Sequence, residues 1–516
     1  MASRRLLLLV AGVCVQLALA GCSTALKPVD HEPERPRAPV QGAFLSEQQH
    51  QHLADDSARS GFQLLDSGRD AFLVRAALIE AAEHYIDAQY YIWNNDVTGH
   101  YMAGRLAAAA ERGVQVRLLL DDINAAGKEP LFSALDSHPN IQVRIFNPAR
   151  SRGGLSRWLS LAIDFDRINR RMHNKTFIVD GHVGITGGRN IGDEYFDEHA
   201  ELNFRDRDVM VLGPLATDMT TNFDAYWNSQ WSYPLVRLYR MADHQQARTR
   251  LEQLIQDAST TPDIGVEPHR HAQAAQDYLR DWFETLVIAP GHLVFDPPLK
   301  DPDAATNTPQ NSARALYELI DSAQSEILVE SAYLTLTDDQ LERLTQRRNP
   351  DLAVAALTNS LASNDLMPNH AGYARWRREM LEHGVALYEL RPDAAGCQRW
   401  VDSPRACRDA VVSLHSKAVV FDRETLFIGS FNVNLRSIYL NGETVVVIHS
   451  PELAAMVADD IHYAMQPENS WQVMLDDNGR LVWHSTEGEV TREPATGFWR
   501  RFGSRLLSWL PIEKYL

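Results

Sequence analysis

Lysine is scarce in this chain, with six residues among 516 against 44 arginines. An ordinary surface cation here would be arginine, so a lysine at a recurring position asks for a specific use. Cysteine is also rare, and the two that lie inside the body of the chain, Cys397 and Cys407, have no metal-ligand company. Net positive charge is absent. The formal charge of -18 argues against the basic face of a nucleic-acid binder, while leaving room for a local basic site. Past the first twenty or so residues, no apolar run is long enough to span a bilayer. What remains is a hydrophobic fraction of 45% and a charged fraction of 23%, which exclude global disorder. A chain of this length fills roughly two to four domains.

The N-terminus reads as a targeting segment. Arg4 and Arg5 give a positive start, and Leu6 to Ala20 an apolar stretch too short for a comfortable membrane span. It ends in Leu19-Ala20-Gly21-Cys22, which resembles a bacterial lipobox. Residues 1–21 are therefore expected to be a lipoprotein signal peptide. Cys22 would be the lipidated first residue, anchoring the protein to a membrane surface without spanning it. An ordinary secretory signal with a chance cysteine is the alternative. Cys14 leaves with the signal, so Cys397 and Cys407 remain as a pair, bridged by a disulfide or reduced.

Residues 22–60, rich in Pro, Glu, Gln and His, read as a flexible tether. Helical and strand patterns then alternate. "DAFLVRAALIEAAEHY", "IDAQYYIW", "MAGRLAAAAERG" and "VQVRLLLDD" are helix, strand, helix and strand. The order returns in "SARALYELIDSAQ", "SEILVESAYL", "DDQLERLTQRR" and "DLAVAALTNS". This alternation predicts α/β layered domains, one over 61–235 and a second over 291–470. A polar helical insertion at 236–290 separates them, and an amphipathic segment follows at 471–516.

Two of the six lysines recur inside one pattern. His173, Lys175 and Asp180 are followed by Gly187, Gly188 and Asn190; His415, Lys417 and Asp422 by Gly429, Ser430 and Asn432. His and Lys two apart in a strand point to the same face. The small residues that follow allow close approach of a ligand to backbone. The distance from "QYYIW" or "ESAYL" to His-x-Lys agrees between halves to within about one residue. A lone histidine on a strand is more often a packing residue; two copies in one long-range register are not.

These residues resemble the phospholipase D superfamily, whose duplicated HKD motifs they match at every defining position. The similarity covers most of the chain after residue 60. It implies two similar α/β/α lobes with mixed sheets, related by a pseudo-twofold axis and sharing one active site. It also implies attack on a phosphodiester through a phosphohistidine, His173 as nucleophile and His415 as general acid, although the symmetry of the sequence permits the reverse. Lys175, Lys417, Asn190 and Asn432 would bind the phosphate oxygens, with lysine a compact point charge for the non-bridging positions. Asp180 and Asp422 would orient and stabilise the imidazoles. No metal and no cofactor are expected.

Flanking residues narrow the resemblance. "GGRNIGDEYFD" and "GSFNVNLRSIYLNGE" resemble the cardiolipin synthase C-like branch of the superfamily, and Arg436, Ser437, Asn441 and Glu443 match GSxNxxxRSxxxNxE. Glu443 is expected near the second imidazole, or else in a structural salt bridge; Ser430 and Gly188 are further support. Arg167, Arg170 and Arg171, after the apolar "LSRWLSLAIDF", suit an anionic lipid headgroup or a packing helix. In the tail, Phe498, Phe502, Leu506, Trp509 and Leu510 share one face, with Arg500, Arg501 and Arg505 off it. That face suits a membrane surface or the body of the protein. The expected substrate is a phospholipid, and the reaction a phosphatidyl transfer to a glycerol-type hydroxyl at a periplasm-facing membrane of the bacterial envelope. Hydrolysis to phosphatidic acid is the alternative, and an exported nuclease the lesser one; no nucleic acid is expected as a partner.

Overall fold

The computed structural model describes residues 29, 32–54, 56, 58–149, 164–239, 244–260, 272–298, 308–337, 340–343, 351–509 and 513–515. The expected signal segment, Cys22, most of the apolar stretch before Phe165, and Leu510 lie outside the described residues.

Runs of β-branched and aliphatic residues form the first sheet. Its strands are β1 (Arg59–Leu65), β2 (Tyr85–Tyr90), β3 (Gln115–Asp121), β4 (Ile141–Phe146), β5 (Thr176–Val179), β6 (Val183–Gly187), β8 (Asp208–Leu212) and β9 (Ser232–Pro234); β7 (Leu202–Arg205) lies apart from it. The spatial order is β9-β4-β3-β2-β5-β6-β8-β1. β2, β3 and β4 run parallel, and the remaining pairings are antiparallel. Parallel neighbours need crossover helices, and Val97–Glu111 and Glu129–Asp136 supply them. β2 and β3 are buried almost throughout, because both faces are covered, and their polar side chains Asp87 and Arg117 pair with each other at 2.6 Å.

The second half repeats the plan with β10 (Val287–Phe295), β11 (Glu326–Ser331), β12 (Ala353–Asn359), β13 (Val385–Leu390), β15 (Lys417–Phe421), β16 (Thr425–Gly429) and β17 (Thr444–His449). β18 (Ser470–Leu475), β19 (Leu481–Ser485) and β20 (Gly488–Val490) extend it, and β14 (Val411–Leu414) stands outside. The order is β20-β19-β18-β13-β12-β11-β15-β16-β17-β10. The two lobes expected from the repeat are thus present, each with a mixed sheet.

Among the described residues, three β-pairings join the lobes. β1 pairs antiparallel with β10, making one 18-stranded sheet. β7 of the first lobe pairs parallel with β14 of the second. Met172 bridges to Gly442 in the same parallel sense. The last two crossings lie immediately before His415 and His173, and they decide how the site is built.

Some boundaries differ from those read in the sequence. Residues 32–54 of the expected tether are packed on the first lobe: Glu34 meets Arg144 at 2.6 Å and Trp227 Nε1 at 2.8 Å, and Leu45 in the helix Phe44–Leu53 is buried. β10 begins within the expected insertion, whose helices His244–Thr260 and Ala272–Glu284 bury Leu251, Leu254, Leu279 and Phe283 in the first-lobe core. The C-terminal segment opens with three strands of the second sheet before its helix, Phe498–Leu507. That helix docks through Gly503 and Ser504, the latter 3.3 Å from His370 Nδ1, while Phe498, Trp499 and Trp509 stay 64%, 78% and 74% exposed. Cys397 and Cys407 form a disulfide.

Candidate active site

The sequence places each histidine just ahead of a buried strand, and each lobe lends the other a carboxylate there. The His173 amide donates to Gly442 O at 2.8 Å, which brings the next residue, Glu443, alongside the ring; Nδ1 lies 2.8 Å from Glu443 Oε2. The His415 amide donates to Arg205 O at 2.8 Å, and Asp206 Oδ2 lies 2.6 Å from His415 Nδ1. The two carboxylates are structural equivalents. The Gly188 amide donates to Arg207 O and the Ser430 amide to Thr444 O, each bonding the residue that follows the acid.

With Nδ1–H donated to a carboxylate, the neutral ring keeps its lone pair on Nε2. Both rings open on one cavity of about 910 Å³, which Asn190 and Asn432 also line. Aromatic edges hold the rings in place: Tyr91 packs on His173 at 5.0 Å and Tyr195 on His415 at 5.2 Å between ring centres. Asn190 is fixed at both ends, accepting from the Ile92 amide and donating to the Tyr195 hydroxyl at 2.9 Å. Lys175 Nζ donates to the carbonyl of His173 at 2.6 Å, and Lys417 to that of His415. Both lysines are buried.

Burial sets the charge state. It drives the His173 ring down to about 4, outweighing the pull of Glu443, and lowers His415 against Asp206. Burial likewise brings Lys175 to about 7 and Lys417 to about 8. It works against the carboxylates too, but the neighbouring His and Lys hold Asp206 and Glu443 below the ordinary range. Below about pH 7 the result is two neutral rings near two ammonium groups, and an entering phosphodiester anion would favour the charged lysines.

Several expected site residues sit elsewhere. Asp180 and Asp422 touch neither imidazole. Each occupies the left-handed turn after the motif strand, at φ 49° and 54°, and accepts backbone amides at the start of β2 or β11. They tie a hairpin to its neighbouring strand; the orienting role passes to Glu443 and Asp206. Glu443 serves the first imidazole, not the second, because the Met172–Gly442 crossing carries it to the other lobe. Ser430 Oγ donates to Glu443. At the equivalent position a Cβ on Gly188 would fall 2.0 Å from Asp206 Oδ1. Arg171 and Arg167 are engaged in structure, with Asp121 and with Asp164 and Asn147. Asp206 was missed in the sequence. Its signal was an acid just ahead of the strand pairing with the Gly-Gly hairpin, as Glu443 lies ahead of β17.

Comparison with known proteins identifies the family and the fold. The family model "cardiolipin synthase, phospholipase D-like domain" matches twice, over residues 76–227 and 316–464. The chain is 39% identical to cardiolipin synthase C of Escherichia coli K12 over 87% of its own length and 94% of that protein's. It is 31% identical to an uncharacterised protein of Helicobacter pylori, over 87% and 88%. Phosphatidylserine synthase of Haemophilus influenzae has the same fold, with a TM-score of 0.56 at 14% identity, covering 92% of this chain and all of that one. The chain belongs to the cardiolipin synthase family of phospholipase D-like proteins.

Proposed function

We propose that the protein is a phosphatidyltransferase that moves a phosphatidyl group from one glycerophospholipid to a glycerol-type hydroxyl. One observation carries the reading: two imidazoles, each tethered through Nδ1 to a carboxylate of the opposite lobe, open on a single cavity lined by two asparagines, with a buried lysine bonded to the carbonyl of each histidine. His173 Nε2 attacks phosphorus, the phosphorus–oxygen bond to the headgroup alcohol breaks, and His415, which takes up a proton at Nε2 when the phosphodiester anion enters beside it, gives that oxygen this proton. The phosphatidyl group is then held on His173. His415, now neutral, takes the proton of an incoming hydroxyl, whose oxygen attacks phosphorus and releases His173. Lys175, Lys417, Asn190 and Asn432 stabilise the charge that builds on the non-bridging oxygens. The names of the related synthases favour a lipid hydroxyl over water as acceptor.

In this reading the enzyme works at a membrane surface, held by acylated Cys22 and facing the periplasm. The Cys397–Cys407 disulfide supports an oxidising compartment. The exposed Phe498, Trp499, Phe502 and Trp509 support contact of the C-terminal helix with lipid. Among the described residues no helix is long and apolar enough to cross a membrane. The test is incubation with labelled phosphatidylglycerol and phosphatidylethanolamine followed by chromatography. Cardiolipin is the expected product; phosphatidic acid alone would assign hydrolysis, and no product would end the reading.

A further inference from the structure

Burying a guanidinium costs free energy unless an anion sits beside it. The buried arginines of this protein follow that rule. Arg75 meets Asp208 at 2.7 Å, Arg117 meets Asp87 at 2.6 Å, Arg207 meets Asp66 at 2.8 Å and Arg377 meets Glu493 at 2.9 Å. Arg436 breaks it. Among the described residues it touches no carboxylate, and its five donors find only neutral oxygens: Asn441 Oδ1 at 3.1 Å, the Asn169 carbonyl at 3.2 Å and side chain at 3.5 Å, and the Tyr515 carbonyl at 2.9 Å. Burial lowers its pKa accordingly. It lines the same cavity as His173 and His415.

Its place relative to the reacting centre is fixed by a chain of bonds. Arg436 Nε holds Asn441, Asn441 Nδ2 donates to Glu443 Oε1 at 3.1 Å, and Glu443 holds His173 Nδ1. The guanidinium is therefore linked to the nucleophile through Asn441 and Glu443 on the Nδ1 side, whereas attack uses Nε2. The reacting phosphate is already provided with two lysines and two asparagines. A transfer from one phosphoglyceride to another brings a second phosphate into the cavity, separated from the first by the glycerol bridge, so one set of donors cannot serve both.

We infer that Arg436 is the residue that binds the second phosphate, that of the acceptor. This rests on the transfer reading above. The planar fork suits two phosphate oxygens at once, and the arm now given to the Tyr515 carbonyl is free to exchange.

The test uses the full-length protein with labelled phosphatidylglycerol vesicles, free glycerol and sn-glycerol phosphate as competing acceptors, and chromatography of every product. Total donor turnover reports the transfer reading; the ratio of products from phosphate-bearing acceptors to those from glycerol and water reports the subsite. Arg436→Gln should lower that ratio at least about tenfold, the scale of a charge-assisted bidentate contact, with Arg436→Lys restoring part of it. A fall only for phosphatidylglycerol would assign the lipid phosphate; a fall for sn-glycerol phosphate as well would assign phosphate from either source. An unchanged ratio in both variants, or a proportional loss of all products in both, would overturn the inference.

Discussion

Around His173 the Glu443 carboxylate accepts from four side chains: the ring itself, Ser430, Ser437 and Asn441. Around His415 the equivalent Asp206 receives the ring at 2.6 Å and the amide of Arg207. The plan is shared and the filling is not. A carboxylate whose lone pairs are spread over four donors is fixed in place and does little to stabilise an imidazolium. One that concentrates on a single ring is better able to stabilise that ring's charge once a proton arrives. The difference fits a positioned, neutral nucleophile at His173 and a proton carrier at His415, an asymmetry the two matching motifs do not contain.

The largest effect expected is from the rings themselves. His173→Ala and His415→Ala should each cut turnover by about a thousandfold or more. The covalent adduct separates them: with a substrate carrying a good leaving group, His415→Ala should still accumulate a phosphorylated histidine at 173, seen by mass spectrometry. An adduct at 415 in the wild type would reverse the assignment. Next come the carboxylates. Asp206→Asn and Glu443→Gln should each cost about a hundredfold, by analogy with partners that orient catalytic or metal-bound histidines. Asp206→Asn should hurt poor leaving groups most, since it weakens the acid; Glu443→Gln should slow all leaving groups alike.

The pH profile sharpens the same contrast. His173 is lowered to about 4, so its ring stays neutral and nucleophilic down to that range and loses activity below it as it protonates. Lys175 at about 7 and Lys417 at about 8 lose their charge as pH rises through those values, which weakens the site for an anionic substrate. The profile of kcat/KM should be bell-shaped, and a rate that climbs steadily to pH 10 would show that the lysine charges are not needed. The paired small residues come after this. Gly188→Ser would force a Cβ against Asp206 and should lower activity about tenfold or more, whereas Ser430→Gly removes one of four bonds to Glu443 and should cost only a few-fold.

Much of this was legible in the sequence because the chemistry is carried by local patterns. Period and turn signals gave the two lobes, and His-x-Lys on a strand gave two residues on one face. The scarcity of lysine marked Lys175 and Lys417 as chosen. What was not legible is what depends on pairing between distant segments. Nothing in "FRDRD" says that β7 will lie beside β14, so Asp206 could not be matched with His415. Glu443 was assigned to the imidazole nearer in sequence, and the Met172–Gly442 crossing sends it to the other one. Asp180 and Asp422 were read as chemical because the motif contains them, yet a carboxylate in a left-handed turn that bonds successive amides is doing the work of a cap.

Those two aspartates give the smallest expected effect on chemistry and a clear one on stability. Asp180 is fully buried and bonds the amides of Glu83, His84 and Tyr85, while Asp422 bonds Gln324, Ser325 and Glu326 at a partly exposed turn. Removing a carboxylate that satisfies three amides, that of Tyr85 buried, leaves those donors unpaired, so Asp180→Ala should destabilise by about 2–3 kcal/mol. Asp422→Ala, where water can reach the amides, should cost about 1 kcal/mol. Asparagine tolerates the left-handed turn and keeps one acceptor oxygen, so Asp180→Asn should fall between wild type and alanine. Urea unfolding measures these differences, and kcat is measured on the folded fraction at low temperature. If Asp180→Asn left stability untouched but removed kcat by a hundredfold, the motif's acid would belong to the chemistry after all.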